Sequence, residues 1–165
     1  MAIRRERPGD EEAISAVITA AFLEADHSGG NEAEIVKSLR GAKGLAVSLV
    51  ATEGETIVGH AAFSPVTLNG RNDAWFGLGP VAVLPEQQRK GIGSALIEAG
   101  IGELRKGNAR GCVVLGEPSY YGRFGFIADP AFRLVGVPPE YFQRLSLEKH
   151  STGGTVNYHP AFDVG

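Results

Sequence analysis

Apolar residues recur at helical spacing in two stretches near the start of the chain. The first stretch follows the acidic run 10–12, whose negative charges suit a helix N-terminus, and predicts a helix over about 10–24. The second predicts a helix that runs to Arg40 and is ended by Gly41 and Gly44. The apolar positions are Ile14, Val17, Ile18, Ala21 and Phe22 in the first stretch, and Ile35, Val36 and Leu39 in the second.

The pattern then changes to alternation, which predicts a meander of three strands. Turn signals at 53–54 and 69–70 separate the three strands. The first strand starts at Leu45, the second covers about 56–66, and the third runs from about Ala74 to Val83. The third strand contains Gly77, Gly79 and Pro80. Such residues mark a bulge or a place where strand pairing stops.

A helix and a short apolar strand follow the meander. The sequence predicts the helix from Ser94 to about Lys106 and the strand from Cys112 to Leu115. Strand, helix and strand in this order form a crossover unit, so its two strands should be parallel neighbours. The remaining residues predict a strand at 132–135, a short helix at 138–142 and a strand at 155–158. Together these elements predict an α+β or α/β fold with a mixed sheet, in a single domain over 1–165.

Composition narrows the possible functions. With 165 residues, 43% of them hydrophobic and 21% charged, the chain has the balance of a soluble globular domain. Cys112 is the only cysteine and the four histidines are scattered, so we expect neither a disulfide nor a metal site. No apolar run approaches a membrane span and no signal peptide is evident, so we expect a cytoplasmic protein. A net charge of −3 argues against a nucleic-acid partner.

The segment Gln88-Arg89-Lys90-Gly91-Ile92-Gly93 lies where a strand ends and a helix begins. Unpaired backbone N–H groups and the helix dipole attract anions to such a junction. Gly91 and Gly93 let a ligand approach the backbone closely, while Arg89 and Lys90 add positive charge. The segment therefore predicts a pyrophosphate site.

The spacing of this segment excludes two common phosphate-binding motifs. The P-loop pattern is absent, and the dinucleotide motif needs a third glycine at the position where Leu96 stands. A tight turn with solvated basic residues is the structural alternative.

Gln88-x-x-Gly91-x-Gly93, after the strand segment 81–85, resembles the coenzyme A pyrophosphate motif of the GNAT superfamily of acyl-CoA N-acyltransferases. Downstream, the segment from Tyr121 to Phe126 is similar to that superfamily's Tyr-x-x-x-Gly-Phe stretch. The resemblance covers about 3–127, and the segment 115–121 suggests a bacterial branch of predicted N-acetyltransferases. It implies a mostly antiparallel central sheet in which one parallel strand pair splays apart.

The resemblance also implies a co-substrate, acetyl-CoA, and the residues that hold it. The segment 81–83 would bond the pantetheine arm, and N–H groups around Ala82 would polarise the acyl carbonyl. Tyr121 would be the general acid that protonates the leaving thiolate, although a packing role for Tyr121 and the presence of adjacent Tyr120 leave this open. The implied cofactor-binding residues are Val81, Ala82, Val83, Gln88, Arg89, Lys90, Gly91, Ile92, Gly93 and Ser94.

The general base is not identified by any motif. Many superfamily members carry a glutamate on the strand before the pyrophosphate motif, but residues 74–84 contain no carboxylate. The candidates are Glu34, His60, Glu117 or a chain of water molecules. Cys112 lies in an apolar run without a neighbouring histidine or lysine, so we expect an unreactive thiol and direct attack by the amine, without an acyl-enzyme.

Two other function classes remain open, namely a coenzyme A-binding sensor without turnover and a plain interaction domain. The acceptor is expected to be a primary amine of a small molecule or a protein. Its groove should lie between the loop from Asp26 to Asn31 and the region after Phe126. The resemblance also allows a homodimer, since dimers are common in such families.

Overall fold

The computed structural model describes residues 1–23, 30–149 and 153–163. The helices in these ranges are α1 (Glu11–Phe22), α2 (Glu32–Gly41), α3 (Ile92–Lys106) and the single turn α4 (Pro118–Tyr121). The strands are β1 (Ala2–Arg5), β2 (Val47–Glu53), β3 (Thr56–Leu68), β4 (Arg71–Val83), β5 (Gly111–Leu115), β6 (Ile127–Ala128), β7 (Phe132–Arg133), β8 (Phe142–Ser146) and β9 (Gly154–Asn157).

The central sheet follows the strand order β1-β2-β3-β4-β5-β8-β6. Neighbours from β1 to β4 are antiparallel, β4 and β5 are parallel, and β5, β8 and β6 are antiparallel again. β9 pairs with the end of β3 and also with β7. The predicted mixed, mostly antiparallel sheet with a parallel pair at the crossover is confirmed.

The parallel strands β4 and β5 pair only over a short length. Their register joins Trp75 to Gly111 and ends where Gly77 faces Val113. Beyond that point β4 pairs with β3 alone, and the rest of β5 pairs with β8. A gap therefore opens between β4 and β5 after Gly77, as the predicted splayed pair requires.

The residues expected to interrupt the third predicted strand form a bulge within β4. The register against β3 shifts there, so that Gly79 and Pro80 together face the single residue Ala62. Gly79 has a φ of +139°, a conformation that side-chain-bearing L-residues rarely adopt. The bulge lies at the start of the part of β4 that borders the gap.

Helices cover both faces of the sheet. On one face, Leu96 and Ile97 of α3 share a buried cluster with Phe63 of β3. On the other face, the apolar stripe of α1 and Val36 of α2 lie in a cluster that includes Ala62 and Ala82, while Ile35 and Leu39 of α2 pack with Ala161. The C-terminal strands add a third cluster around Trp75.

The short helix predicted at 138–142 is confirmed in a shorter form. Only Pro139–Tyr141 form a 3-10 turn, and Phe142 already starts β8. β8 is not evident in the sequence because a polar residue, Gln143, occupies a buried position in it and is only 1% exposed. The Gln143 side chain donates to the Gly116 carbonyl at 3.1 Å, which satisfies this polar residue in a buried position and disturbs the hydrophobic alternation.

β1 is a second strand that the pattern does not reveal, because two arginines occupy half of it. Arg4 is held by Asp10 at 2.7 Å and Arg5 by Glu103, so both charges are paired at the sheet edge. The strand expected at 132–135 is shortened to β7. Most of the loop predicted to line the acceptor groove, residues 26–29, lies outside the described residues.

Candidate active site

The loop between β4 and α3 carries the predicted pyrophosphate site. Its backbone enters the left-handed region at Arg89, with a φ of +67°, and at Gly91, with a φ of +81°. The first backbone hydrogen bond of α3 joins the Ala95 N–H to the Gly91 carbonyl at 3.0 Å. The N–H groups of residues 92–94 precede this bond and so have no acceptor within the helix. With the helix dipole behind them, they form an anion-binding surface.

A cavity of about 370 Å³ opens over this loop. It is lined by Val83, Gln87, Gln88, Arg89, Gly91, Ile92, Gly93, Ser94, Tyr120 and Arg123. Seven of the predicted cofactor-binding residues are thereby brought together. Val81, Ala82 and Lys90 do not line the cavity; the Lys90 ammonium instead donates to the side-chain oxygen of Gln87 at 3.2 Å.

Arg123 and Tyr120 complete the cavity wall, and sequence reasoning assigned neither of them to the cofactor. Arg123 donates to the Ser94 hydroxyl at 3.1 Å, and its guanidinium lies 4.5 Å from the centre of the Tyr120 ring. The Tyr120 hydroxyl is 3.4 Å from the Ser94 hydroxyl. These contacts hold a positive charge beside the N-terminus of α3. The only sequence signal was the location of Arg123 within the Tyr-x-x-x-Gly-Phe stretch.

The edge of β4 that faces the gap is set by its hydrogen bonds to β3. The Leu84 N–H donates to the Val58 carbonyl at 2.9 Å, and alternate residues of an antiparallel strand bond to the same neighbour. Ala82 therefore bonds to β3, whereas the N–H groups of Val81 and Val83 point toward the gap. The Val83 carbonyl accepts a hydrogen bond from the Gln88 side chain at 3.1 Å, in agreement with this orientation. This edge can pair with an extended polar chain in the manner of an added strand.

Tyr121 lies deeper than Tyr120 and does not line the cavity over the loop. Its ring centre is 5.0 Å from that of Tyr120 and 6.0 Å from that of Phe126, with edge-to-face geometry in both pairs. Burial, with smaller effects from the neighbouring Tyr120 and Cys112, raises the pKa of Tyr121 to about 12. Its hydroxyl therefore keeps its proton at neutral pH and is a hydrogen-bond donor.

The buried His60 is at the end of a chain of partly buried polar groups. Its Nε2 lies 2.8 Å from the Ser48 hydroxyl, which donates to Glu6 at 2.7 Å, and Glu6 is held by Arg40 at 2.8 Å. Because the Ser48 proton goes to Glu6, His60 Nε2 must carry the proton of this pair. Desolvation lowers the pKa of His60 to about 4, against the opposing charge of Glu6. An imidazole of such low basicity is a poor acceptor for the proton of an amine.

The other residues considered for proton or group transfer are separated from one another. Glu34 is exposed on α2, and Glu117 is exposed before α4. Cys112 is fully buried, and burial raises the pKa of its thiol, which makes it a weak nucleophile. Among the described residues, no group of three or more metal-ligating side chains comes together, and no helix is long and apolar enough to cross a membrane.

Comparison with known proteins identifies the family. Residues 2–128 match the model of the acetyltransferase (GNAT) domain. The chain is 37% identical over 170 residues to an uncharacterized N-acetyltransferase, YhbS, of Escherichia coli K12, an alignment that covers 99% of each chain. A second relative from the same organism, the uncharacterized N-acetyltransferase YjhQ, is 38% identical over 114 residues, which cover 67% of this chain and 62% of YjhQ.

Solved structures of related proteins agree with the sequence comparison. A GNAT family acetyltransferase from Brucella melitensis in complex with acetyl-CoA superposes with a TM-score of 0.89 and 48% identity, covering 98% of this chain and 97% of that one. E. coli YhbS in complex with CoA superposes with a TM-score of 0.88 and 31% identity, covering 99% and 92%. The anion-binding loop, the gap beside β4 and these matches lead to one conclusion. The chain belongs to the GNAT family of acetyltransferases.

Proposed function

We propose that this protein transfers the acetyl group of acetyl-CoA directly to a primary amine. The observation that carries the proposal is the parting of β4 and β5 beside the N-terminus of α3. An anion site and a strand edge with free N–H groups are thereby placed in one continuous line. The naming of the relatives as N-acetyltransferases favours the enzyme over a coenzyme A sensor.

The residues of this chain fit a pyrophosphate with an extended arm. The N–H groups of residues 92–94 and the Arg89 and Arg123 guanidinium groups would hold the phosphates. Val81 and Val83 would pair with the amide groups of the pantetheine arm along the gap. The open space at Gly93 matters here, because a Cβ at this position would lie 3.3 Å from the Tyr120 hydroxyl and fill the cavity.

The chemistry is one substitution at the acetyl carbon. The amine nitrogen bonds to this carbon and loses a proton, while the carbon–sulfur bond breaks and the sulfur gains one. An N–H group at the β4 edge would stabilise the negative charge that develops on the carbonyl oxygen. Tyr121 would donate a hydrogen bond to the sulfur as the thiolate leaves, and the thiolate would then take its proton from water. The proton released by the nitrogen would pass to a water molecule, since neither His60 nor an exposed glutamate is suitably placed or basic.

Three predictions from the sequence remain proposals of this kind. We expect the chain to act as a single domain over 1–165, in the cytoplasm, with homodimer formation allowed. The contribution of residues 26–31 to the acceptor groove also stays a prediction.

The proposal is tested by mixing the protein with acetyl-CoA and a panel of primary amines. Thiol release and the mass of the acetylated amine are measured together with CoA affinity by calorimetry. Gly93→Val should abolish CoA binding and turnover. Gly102→Val is the matched control in the same helix, because a Cβ at Gly102 meets nothing within 4 Å. Retained CoA affinity in a folded Gly93→Val protein would place the site elsewhere, and tight CoA binding without turnover of any amine would favour the sensor.

A further inference from the structure

A larger cavity, of about 690 Å³, lies among the C-terminal residues. Almost all of its lining is beyond residue 128, where the match to the family domain ends. The volume is within the range of roughly 300–1,000 Å³ that is typical of small-molecule sites. The apolar part of its wall is formed by Phe132, Leu134, Val135, Val137, Pro139 and Phe142.

Three of the four polar side chains that line this cavity form hydrogen bonds within the protein, and the fourth, Glu140, is exposed. The Asp129 carboxylate accepts hydrogen bonds from Arg144 at 3.0 Å and from the Ala131 N–H at 2.9 Å. The Arg133 guanidinium donates to the Thr155 hydroxyl at 3.4 Å. A ligand in the cavity would therefore meet mainly hydrocarbon. A strongly polar ligand would lose hydration there without gaining equivalent hydrogen bonds, which disfavours its binding.

The cavity borders the elements that form the proposed reaction site. Phe142, in its wall, is the register partner of Leu115, the last residue of β5. Paired residues of this kind lie about 5 Å apart, and the segment after Leu115 leads directly to Tyr121. On the other side, the ring centre of Phe132 is 4.7 Å from that of Trp75, two residues before the point where β4 and β5 part.

Tyr158 connects the cavity wall with the gap. Its ring packs on the cluster that contains Phe132 and Phe142. It also occupies the space over Gly77 that any side chain there would need, at the last paired residue of β4. Tyr158 therefore packs both on the cluster behind the cavity wall and over Gly77, where the pairing of β4 and β5 ends.

We propose that the C-terminal cavity holds the apolar body of the acceptor, so that the substrates are primary amines carrying an aryl or alkyl group. This inference rests on the proposed acetyl transfer and specifies its second substrate. Tyr158 lies beside the path of the amino group from the cavity to the thioester. The family domain would supply the acetyl-CoA site, and the C-terminal segment would determine which amine is used.

Binding is tested without turnover by nitrogen-15 NMR on the protein saturated with CoA. The probes are 2-phenylethylamine and, as a polar primary amine, ethanolamine. We expect 2-phenylethylamine to cause saturable shifts of amides around the cavity, such as those of Val135 and Thr155, and ethanolamine to cause none. Shifts confined to other regions, or no saturable shifts, would overturn the proposal.

Specificity is tested with Val135→Asp, which places a carboxylate at the cavity wall. Val135 is 84% exposed, so folding should be unaffected. Ile127→Asp is the control, because Ile127 is 50% exposed on neighbouring β6 and does not line the cavity. We expect kcat/KM to be at least tenfold higher for 2-phenylethylamine than for ethanolamine, and we expect this preference to be lost only in Val135→Asp.

The two hypotheses fail in different ways. Equal use of both amines by the parent, or an equal loss for both in Val135→Asp, would refute the apolar acceptor while leaving acetyl transfer intact. If neither amine is acetylated, acetyl transfer to these amines is refuted, and the NMR titration alone decides whether the cavity binds an apolar amine.

Discussion

Replacing Tyr121 by phenylalanine tests the residue on which the proposed chemistry depends most. The substitution removes one hydroxyl group and keeps the ring that packs against Tyr120 and Phe126. The ring also fills the space beside Gly116, where a Cβ would collide with it. Since all of these contacts are made by ring atoms, we expect the variant to fold and to bind CoA as the parent does.

The expected loss in rate follows from the pKa of the hydroxyl. Burial raises the pKa of Tyr121 to about 12, whereas an ordinary thiol has a pKa of about 8.5. Complete proton transfer from this phenol to a free thiolate is then unfavourable by roughly 5 kcal/mol. The hydroxyl should therefore act by donating a hydrogen bond to the sulfur as charge develops. We expect a loss of about 10²-fold in kcat, at the lower end of the range for general acids.

The assay is thiol release under conditions where the chemical step limits the rate, with CoA affinity measured separately. Tyr120→Phe is the matched control, because the Tyr120 hydroxyl contacts Ser94 at the pyrophosphate loop. That variant should weaken CoA binding modestly and change kcat little. Full activity of Tyr121→Phe, or a larger loss of kcat in Tyr120→Phe, would refute the assignment of Tyr121.

The other predictions concern cofactor affinity, pH dependence and the mechanism. Arg123→Ala should weaken CoA binding about tenfold, as measured by calorimetry, and Lys90→Ala should weaken it less. Of these two residues, only Arg123 lines the cavity. A larger effect of Lys90→Ala would contradict the proposed site. Burial lowers the pKa of His60 from 6.5 to about 4 in the folded protein. Its contribution to stability is therefore fully present above pH 6.5 and is lost as the pH falls from 6.5 through 4. Between pH 6.5 and pH 4, the free energy of unfolding measured in urea should fall by up to roughly 3 kcal/mol more in the parent than in His60→Asn. Parallel pH profiles of the two proteins would disprove the burial argument. Cys112→Ala should retain turnover, and an acyl group trapped on Cys112 would overturn direct attack.

The geometry of the loop before α3 was predictable because its signal is local. The glycines at 91 and 93, the basic residues and the change from strand to helix are contiguous, and backbone geometry alone turns them into an anion site. The splayed pair was predictable for a similar reason, since the crossover unit and the glycines of the third strand lie within about 40 residues. The acidic residues at the start of α1 and the apolar stripes of the helices were predictable for the same reason, because neighbouring residues carry their signal.

Tertiary structure decided what depends on residues that are distant in sequence. Arg123 contacts Ser94 across 29 positions, and no periodicity relates the two. β8 was hidden because Gln143 finds its partner only in the folded chain, and His60 is excluded as a base because burial in the fold lowers its pKa. The sequence by itself determined the anion-binding junction and the class of fold, since both follow from neighbouring residues. The depth of Tyr121, the position of Arg123 beside the anion site and the apolar C-terminal cavity depend on desolvation and packing between separate elements, and these exist only once the sheet has formed.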